Sequence, residues 1–136
     1  MTRDEQNHIE QTKLYVGCLP CLLKGHPNGH ADYHHAEAGH KRKPHKHGFG
    51  MCLWHHRGEY SSFSMSLSSI LERYGPSFAL MKRSFIDEFC AEPVLVETNN
   101  FALMLWRKGP WLDHDMPGNV QLKIQLHHNQ SRPFLT

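Results

Sequence analysis

Long apolar segments are missing from this sequence. The longest uninterrupted apolar run, residues 101–106, has six residues, whereas a helix that spans a membrane needs about 20. The chain begins MTRDEQNHIEQ, which is polar and acidic and lacks the apolar h-region of a secretory signal. We therefore expect a soluble protein that remains in the cytoplasm.

An excess of either charge is also missing. Lys and Arg number 15 against 13 Asp and Glu, so the formal net charge is only +2. This balance excludes a strongly basic, histone-like nucleic-acid binder, although it permits a local basic patch. Apolar residues make up 39% of the 136 residues, which is enough for one domain with a modest core. A bound metal would help to stabilise such a core.

Histidine and cysteine, by contrast, are plentiful and clustered. Nine of the 13 histidines lie between His26 and His56, and three of the four cysteines, Cys18, Cys21 and Cys52, bracket that stretch. In a chain without an export signal, cysteines at such spacing indicate metal binding before disulfide bonds.

Two pairs of residues have the spacing of zinc ligands. Cys18-x2-Cys21 and Cys52-x2-His55 each direct two side chains of a tight turn toward one ion, and together they supply three thiolates and one imidazole. We therefore expect a closed, structural Zn²⁺ site. The 30 residues between the pairs exceed the usual spacing of about 15–20 and leave room for an insertion with another role. The alternative is that the thiols are reduced and unrelated to one another.

A second register competes for the same two cysteines. Cys18-x2-Cys21-x12-His34-x5-His40 satisfies the spacing of a Cys2His2 finger. That fold requires a recognition helix across residues 26–40, where glycines and a proline oppose helix formation. It would also leave the later Cys-x2-His pair unexplained, so the first register is preferred.

Periodicity and turn residues divide the chain into short elements. Residues 31–36 and 48–51 are the best strand candidates and would form a hairpin with a long connection. From residue 53 the pattern becomes helical. The expected elements are helices at 53–59 and 65–74, a helix that follows an N-cap at Ser77 and carries Phe78, Phe85 and Phe89 in the core, a helix or strand at 94–105, and a half-buried strand at 120–126.

Three histidines in two doublets remain after the zinc ligands are assigned. His34 and His35 lie on the first predicted strand, where neighbouring side chains point to opposite faces, so one can bind metal while the other contacts a substrate. His56 follows the zinc ligand His55 and is rotated about 100° from it on a helix. It can therefore point away from the structural ion and toward the hairpin.

The order of these motifs resembles that of the HNH nucleases: a Cys-x2-Cys pair, a strand ending in a His doublet, a loop, and then Cys-x2-His-His. The resemblance implies an α+β fold, in which a zinc-stabilised ββα-metal (HNH) core is followed by a mainly helical C-terminal part. Carried over by position, His34 and His56 match ligands of a catalytic divalent ion, and His35 matches the general base. The loop position that the family gives to Asn falls near His47, a candidate ligand or brace of the loop.

A closer resemblance is to the phage recombination-enhancement (Ref-like), RecA-dependent nucleases. It rests on residues 31–35, 52–58, 75–77 and 85, and it covers residues 14–105. It implies phage or prophage origin, the host-cell cytoplasm, and DNA cleavage in recombination directed by the RecA filament. The expected organisation is a polar N-terminal segment at 1–13, which forms a loose end or a first helical turn, a nuclease domain at 14–105 and a C-terminal extension of unknown role at 106–136.

The implied chemistry is hydrolysis of a phosphodiester bond. His35 would deprotonate the attacking water, since imidazole titrates near neutral pH. A second divalent ion, Mg²⁺ or Mn²⁺, would be held by His34 and His56. The basic residues expected to contact the DNA backbone are Lys41, Arg42, Lys43, Lys46 and Arg57. The first four of these could equally form a solvated loop.

A non-catalytic protein is the main alternative. A zinc-stabilised DNA-binding or protein-interaction module would require only the four zinc ligands and would leave His34, His35 and His56 without a role. The joint presence of these three histidines in the expected order favours the nuclease.

Overall fold

The computed structural model describes residues 1–38, 41–42 and 47–131, with the backbone alone at 37–38 and 41–42. The fold is α+β and mainly helical, as expected. Its elements in chain order are α1 (Arg3–Gln11), a π-helical turn (Thr12–Val16), α2 (Leu19–Leu23), β1 (Asp32–His35), β2 (Glu37–Ala38), β3 (Lys41–Arg42), β4 (Gly48–Met51), α3 (Leu53–Arg57), a 3-10 turn (Ser61–Phe63), α4 (Leu67–Tyr74), α5 (Lys82–Phe89), α6 (Glu92–Lys108) and α7 (Gly118–Ser131). None of the helices in this described part is long and apolar enough to cross a membrane.

The predicted hairpin is confirmed. Strands β1 and β4 pair antiparallel, with Asp32 opposite Met51 and His35 opposite Gly48. The connection between them carries the short β2–β3 pair. Helix α3 begins two residues after β4 ends, so the second Cys-x2-His segment leaves the hairpin directly as a helix.

A close backbone approach joins the N-terminal segment to this hairpin. Gly17 follows the π-helical turn with φ +74°, a conformation that favours glycine. A Cβ on Gly50 of β4 would lie 2.2 Å from the carbonyl oxygen of Gly17, so only glycine fits there. This contact brings Cys18, the next residue, beside the strand that leads to Cys52.

The N-terminal segment is more ordered than expected. Residues predicted as a loose end or a single turn form α1, which begins with a capping box. The Thr2 hydroxyl accepts a hydrogen bond from the Glu5 N–H at 3.2 Å, and the Glu5 carboxylate accepts one from the Thr2 N–H at 3.0 Å.

The main core lies between the hairpin and the C-terminal helices. Phe85 and Phe89 are buried in it, as predicted, and Phe78 packs against its edge. The helix expected to follow Ser77 instead begins at Lys82. The N–H of Phe78 bonds to the His55 carbonyl oxygen at 2.9 Å, which holds the intervening residues as a turn against α3.

The strand predicted at 120–126 is wrong, because this segment lies within α7. The alternation of Val120, Leu122, Ile124 and Leu126 also contains a four-residue spacing. Ile124 is fully buried, whereas Leu122 and Leu126 are 55% and 52% exposed. Val120, Ile124 and the buried His128 therefore form the inner face of a helix.

The boundary expected at residue 105 falls inside α6, which ends at Lys108. Helix α7, in the expected extension, packs on α6 and α2. The Gln125 side-chain amide donates a hydrogen bond to the Leu22 carbonyl oxygen at 3.1 Å, so the last helix is tied to the cysteine-bearing end of the chain.

Candidate active site

The two ligand pairs occupy equivalent positions on two short helices. Cys18 is the N-cap residue of α2, and Cys21 is the third residue of that helix. Cys52 is the N-cap residue of α3, and His55 is the third residue of that helix. Side chains at the N-cap and third positions face one another across the first turn, as in a capping box. With the Cys-x2-Cys and Cys-x2-His spacing, the two side chains of each pair therefore point toward the same place.

The four side chains meet at one buried point. Nδ1 of His55 lies 3.4 Å from Cys18 Sγ, 3.5 Å from Cys21 Sγ and 3.4 Å from Cys52 Sγ. The sulfurs of Cys21 and Cys52 are 3.7 Å apart. A tetrahedral zinc with usual bond lengths places its ligand atoms about 3.8 Å (S to S) and about 3.6 Å (S to N) apart. Among the described residues, these four form the only such group of three or more His, Cys, Asp and Glu. The cluster could therefore bind zinc, as predicted.

The tautomer of His55 also fits a metal ligand. Its Nε2 lies 2.8 Å from the Tyr74 carbonyl oxygen, which can only accept, so Nε2 carries the proton and Nδ1 offers its lone pair to the sulfurs. A backbone carbonyl on the second nitrogen is the usual support of a metal-binding histidine. The neighbouring Trp54 indole donates to the Gly75 carbonyl oxygen at 2.9 Å. Two side chains of α3 are therefore hydrogen-bonded to backbone carbonyls at the end of α4.

Burial and mutual hydrogen bonds change the pKa values of the clustered thiols. Burial raises the pKa of the Cys18 thiol well above its usual value. Hydrogen bonds from Cys18 and Cys21 lower the pKa of Cys52 below its usual range. Three thiols in a buried cluster thus favour one thiolate that is hydrogen-bonded by its neighbours. A divalent cation is the group that would compensate three thiolates together.

His34 and His56 approach each other on the adjoining face of the hairpin. Their ring centroids are 5.5 Å apart. His34 is packed edge-on against Phe78 at 5.0 Å and lies 5.2 Å from Phe49. The side chain of His56 is about one quarter exposed, so this side of the pair is open to solvent.

Two carboxylates that the sequence did not single out complete this group. Glu92, at the start of α6, places Oε1 2.6 Å from His34 Nε2. Asp32 places Oδ2 3.3 Å from His56 Nδ1 and also 3.3 Å from Arg57 Nη2. Asp32 could have been found from strand alternation, because it lies two residues before His34 and shares its face. Glu92 is 58 residues away from His34 in sequence, and no local pattern marks it.

The donor set suits a divalent ion. Imidazole and carboxylate groups together bind the borderline and hard divalent metals. A carboxylate bonded to a histidine also orients the ring and raises its basicity. For His56, Asp32 occupies Nδ1 and leaves Nε2 as the ligand atom. These groups are of the kind that binds a divalent ion, but unlike the cysteine cluster they do not converge on one point.

His35 lies on the opposite face of β1 from His34. It shares that face with Tyr33, whose ring centroid is 5.0 Å away. His47 accepts a backbone hydrogen bond from the Ala36 N–H at 2.9 Å, which places it beyond the end of the paired strands. The structure thus gathers His34 and His56 and separates His35 from them by the thickness of the strand.

The predicted DNA-contacting residues are only partly described. Arg57 is exposed at the end of α3 beside Asp32. Lys41 and Arg42 are the two residues of β3, of which only the backbone is described. Lys43 and Lys46 lie outside the described residues. The structure therefore places one of the five basic side chains next to the histidine pair.

The fold and these groups define a small α+β protein in which a Cys3His cluster that could bind zinc lies next to a group of histidines and carboxylates. A family model described as "Recombination enhancement, RecA-dependent nuclease" matches residues 1–103. The chain belongs to this family. The match begins at residue 1 and so includes α1, which the resemblance over 14–105 had left out. No curated protein and no solved structure matches the chain.

Proposed function

We propose that this protein is a metal-dependent DNA endonuclease of the HNH type, which hydrolyses phosphodiester bonds during phage recombination together with RecA filaments. The observation that carries the proposal is the pairing of His34 with His56 between two carboxylates, in a chain of a RecA-dependent nuclease family. The order β1, β4, α3, with the histidines on β1 and α3, supports a ββα-metal arrangement.

The four buried ligands have a structural role in this proposal. Cys18, Cys21, Cys52 and His55 would hold Zn²⁺ in a closed shell, with no position open to a substrate. The zinc would fix α2 against α3. It would thereby fix the position of His56, the residue that follows a zinc ligand.

His34 and His56 would hold the catalytic ion, Mg²⁺ or Mn²⁺. Such an ion supplies positive charge that stabilises the phosphate oxygens as charge develops on them. Asp32 and Glu92 would orient the two imidazoles. His47 remains a candidate for a further ligand or for a brace of the connecting loop.

His35 is the proposed general base. It is the last residue of β1, so a phosphate that lies across the end of the strand can contact both of its faces. His35 would then accept a proton from the attacking water while His34 serves the other face. Attack of water on phosphorus in line with the 3′ oxygen would break the P–O3′ bond, and protonation of the leaving oxygen would give 5′-phosphate and 3′-hydroxyl ends. Arg57, and Lys41, Arg42, Lys43 and Lys46 of the loop, would bind the DNA backbone.

A nicking assay tests this function. Zinc-loaded protein is incubated with supercoiled plasmid and with Mg²⁺ or Mn²⁺, in the presence and absence of RecA filaments. We expect nicking that requires the added ion and is directed by RecA, with 5′-phosphate ends. Zinc-loaded, folded protein that fails to cut DNA under every one of these conditions would contradict the proposal and favour a non-catalytic zinc module.

A further inference from the structure

Lys82 stands close to the histidine pair, although its sequence position gives no hint of this. It is the exposed first residue of α5. Its ammonium nitrogen lies 5.2 Å from the centroid of the Phe78 ring, within the range of a cation–π contact. The same ring packs edge-on against His34, with centroids 5.0 Å apart. A single aromatic side chain therefore separates Lys82 from His34.

The position of Phe78 is fixed by the helix that carries His56. The Phe78 N–H donates to the His55 carbonyl oxygen at 2.9 Å, and its ring packs on the buried Phe85 at 5.3 Å. The turn is also pressed against the end of α3, since a Cβ on Gly58 would lie 2.5 Å from Leu80 Cγ. These contacts fix the turn that leads to Lys82 relative to the site.

Lys82 has no acidic partner in the described part of the chain. Lys24, by contrast, pairs with Glu88 at 2.8 Å. The aromatic ring beside its ammonium group attracts the charge without neutralising it. An exposed cation that is held beside a candidate nuclease site and lacks an acidic partner is arranged to bind an anion from solution.

We propose that Lys82 binds a phosphate of the DNA backbone next to the scissile one. Arg57 lies next to Asp32 and His56, and Lys82 lies beyond Phe78 on the side of His34. Lys82 and Arg57 would then both contact the DNA strand that passes the histidine pair. This assignment rests on the proposed function, because it takes DNA as the substrate.

The salt dependence of DNA binding tests Lys82 with a matched control. Lys82→Gln and Lys108→Gln remove the same charge from exposed sites. Lys108 ends the 17-residue helix that begins with Glu92, which places it about 24 Å along the axis from the His34–Glu92 contact. Binding of a labelled duplex is measured by fluorescence anisotropy from 50 to 200 mM salt, with no divalent ion added.

The expected result for Lys82→Gln is a slope of log K against log [salt] that is smaller by about 0.9, as for the loss of one phosphate contact. The ratio of variant to wild-type Kd should then fall about 3.5-fold between 50 and 200 mM salt. Lys82→Arg should restore the slope, and Lys108→Gln should leave it unchanged. In nicking assays, Lys82→Gln should raise KM more than it lowers kcat.

An unchanged slope in Lys82→Gln, or an equal change in Lys108→Gln, would overturn the assignment while wild-type binding and nicking still support the proposed function. Wild-type protein that neither binds nor nicks DNA would overturn the proposed function itself, and the phosphate assignment with it.

Discussion

Replacing Cys52 by serine tests the metal centre, and Cys90 supplies the matched control. Both thiols are buried, but only Cys52 belongs to the Cys3His cluster. If zinc is bound there, wild-type protein is stabilised by about 4 kcal/mol when free zinc exceeds its Kd 1,000-fold. A chain of 136 residues has an unfolding entropy of about 0.29 kcal/mol/K, so this stabilisation is about 14 °C in Tm. Cys52→Ser should lose the zinc and this increment together.

Cys90→Ser should keep one zinc per chain. Its cost is that of placing a hydroxyl at a buried site, about 1–3 kcal/mol, or about 3–10 °C. Zinc content is measured by mass spectrometry, and melting is followed by circular dichroism with and without added zinc. Cys52→Ser protein that retains stoichiometric zinc and responds to added zinc like Cys90→Ser would refute the ligand assignment.

Three further outcomes are expected. His56→Ala should keep its zinc but bind the catalytic ion more weakly, as measured by the Mn²⁺ concentration that gives half-maximal nicking; loss of zinc with unchanged Mn²⁺ dependence would mean that His55 and His56 have exchanged roles. His35→Ala should lower the rate of single-turnover nicking by about 10²–10⁴-fold, and added metal should not rescue it. Excess Mn²⁺ should partly restore the nicking activity of His34→Ala. Full activity in His35→Ala would show that His35 is not the general base. In α7, Ile124→Ala should cost about 2–5 kcal/mol of unfolding free energy and Leu122→Ala less than about 0.5 kcal/mol; equal costs in thermal melts would contradict the helix.

The parts of the fold that were predictable are those set by local spacing. The zinc ligands lie at the N-cap and third positions of two helices, so a two-residue gap is sufficient to bring each pair together. The hairpin was predictable because Gly48–Met51 and the strand before it are short segments bounded by turn residues. In both cases the information lies within a few residues of chain.

The errors arose where packing decides between local alternatives. Residues 120–126 fit a strand by alternation and a helix by the spacing of Val120 and Ile124, and only burial against the core separates the two. Similarly, Ser77 is a good N-cap by composition, but its hydroxyl accepts the Leu80 N–H at 3.4 Å within a turn. Because the Phe78 N–H is hydrogen-bonded to the His55 carbonyl oxygen, the helix begins only at Lys82.

The candidate site was predictable in its histidines and not in its carboxylates. His34 and His56 follow from motif order, but Glu92 reaches His34 only because α6 packs on β4. Lys82 enters the site in the same way, through the turn that binds α3. Charged groups brought in by tertiary packing leave no periodic signal in sequence.

The arrangement of α3 makes the proposed second metal site depend on the first, whereas the first does not depend on the second. His55 is the proposed ligand of the first site, and His56, the next residue, is the proposed ligand of the second. The turn that carries Phe78 is also bonded to the His55 carbonyl oxygen. Loss of the zinc would therefore release His56, Phe78 and, through Phe78, Lys82 from their positions at once. Loss of the His56 side chain removes no zinc ligand, and it leaves the hydrogen bond between Phe78 and the His55 carbonyl oxygen intact. Chelation of the structural ion should consequently abolish both catalytic-ion binding and the Lys82 contact, whereas no substitution in the second site should release the zinc.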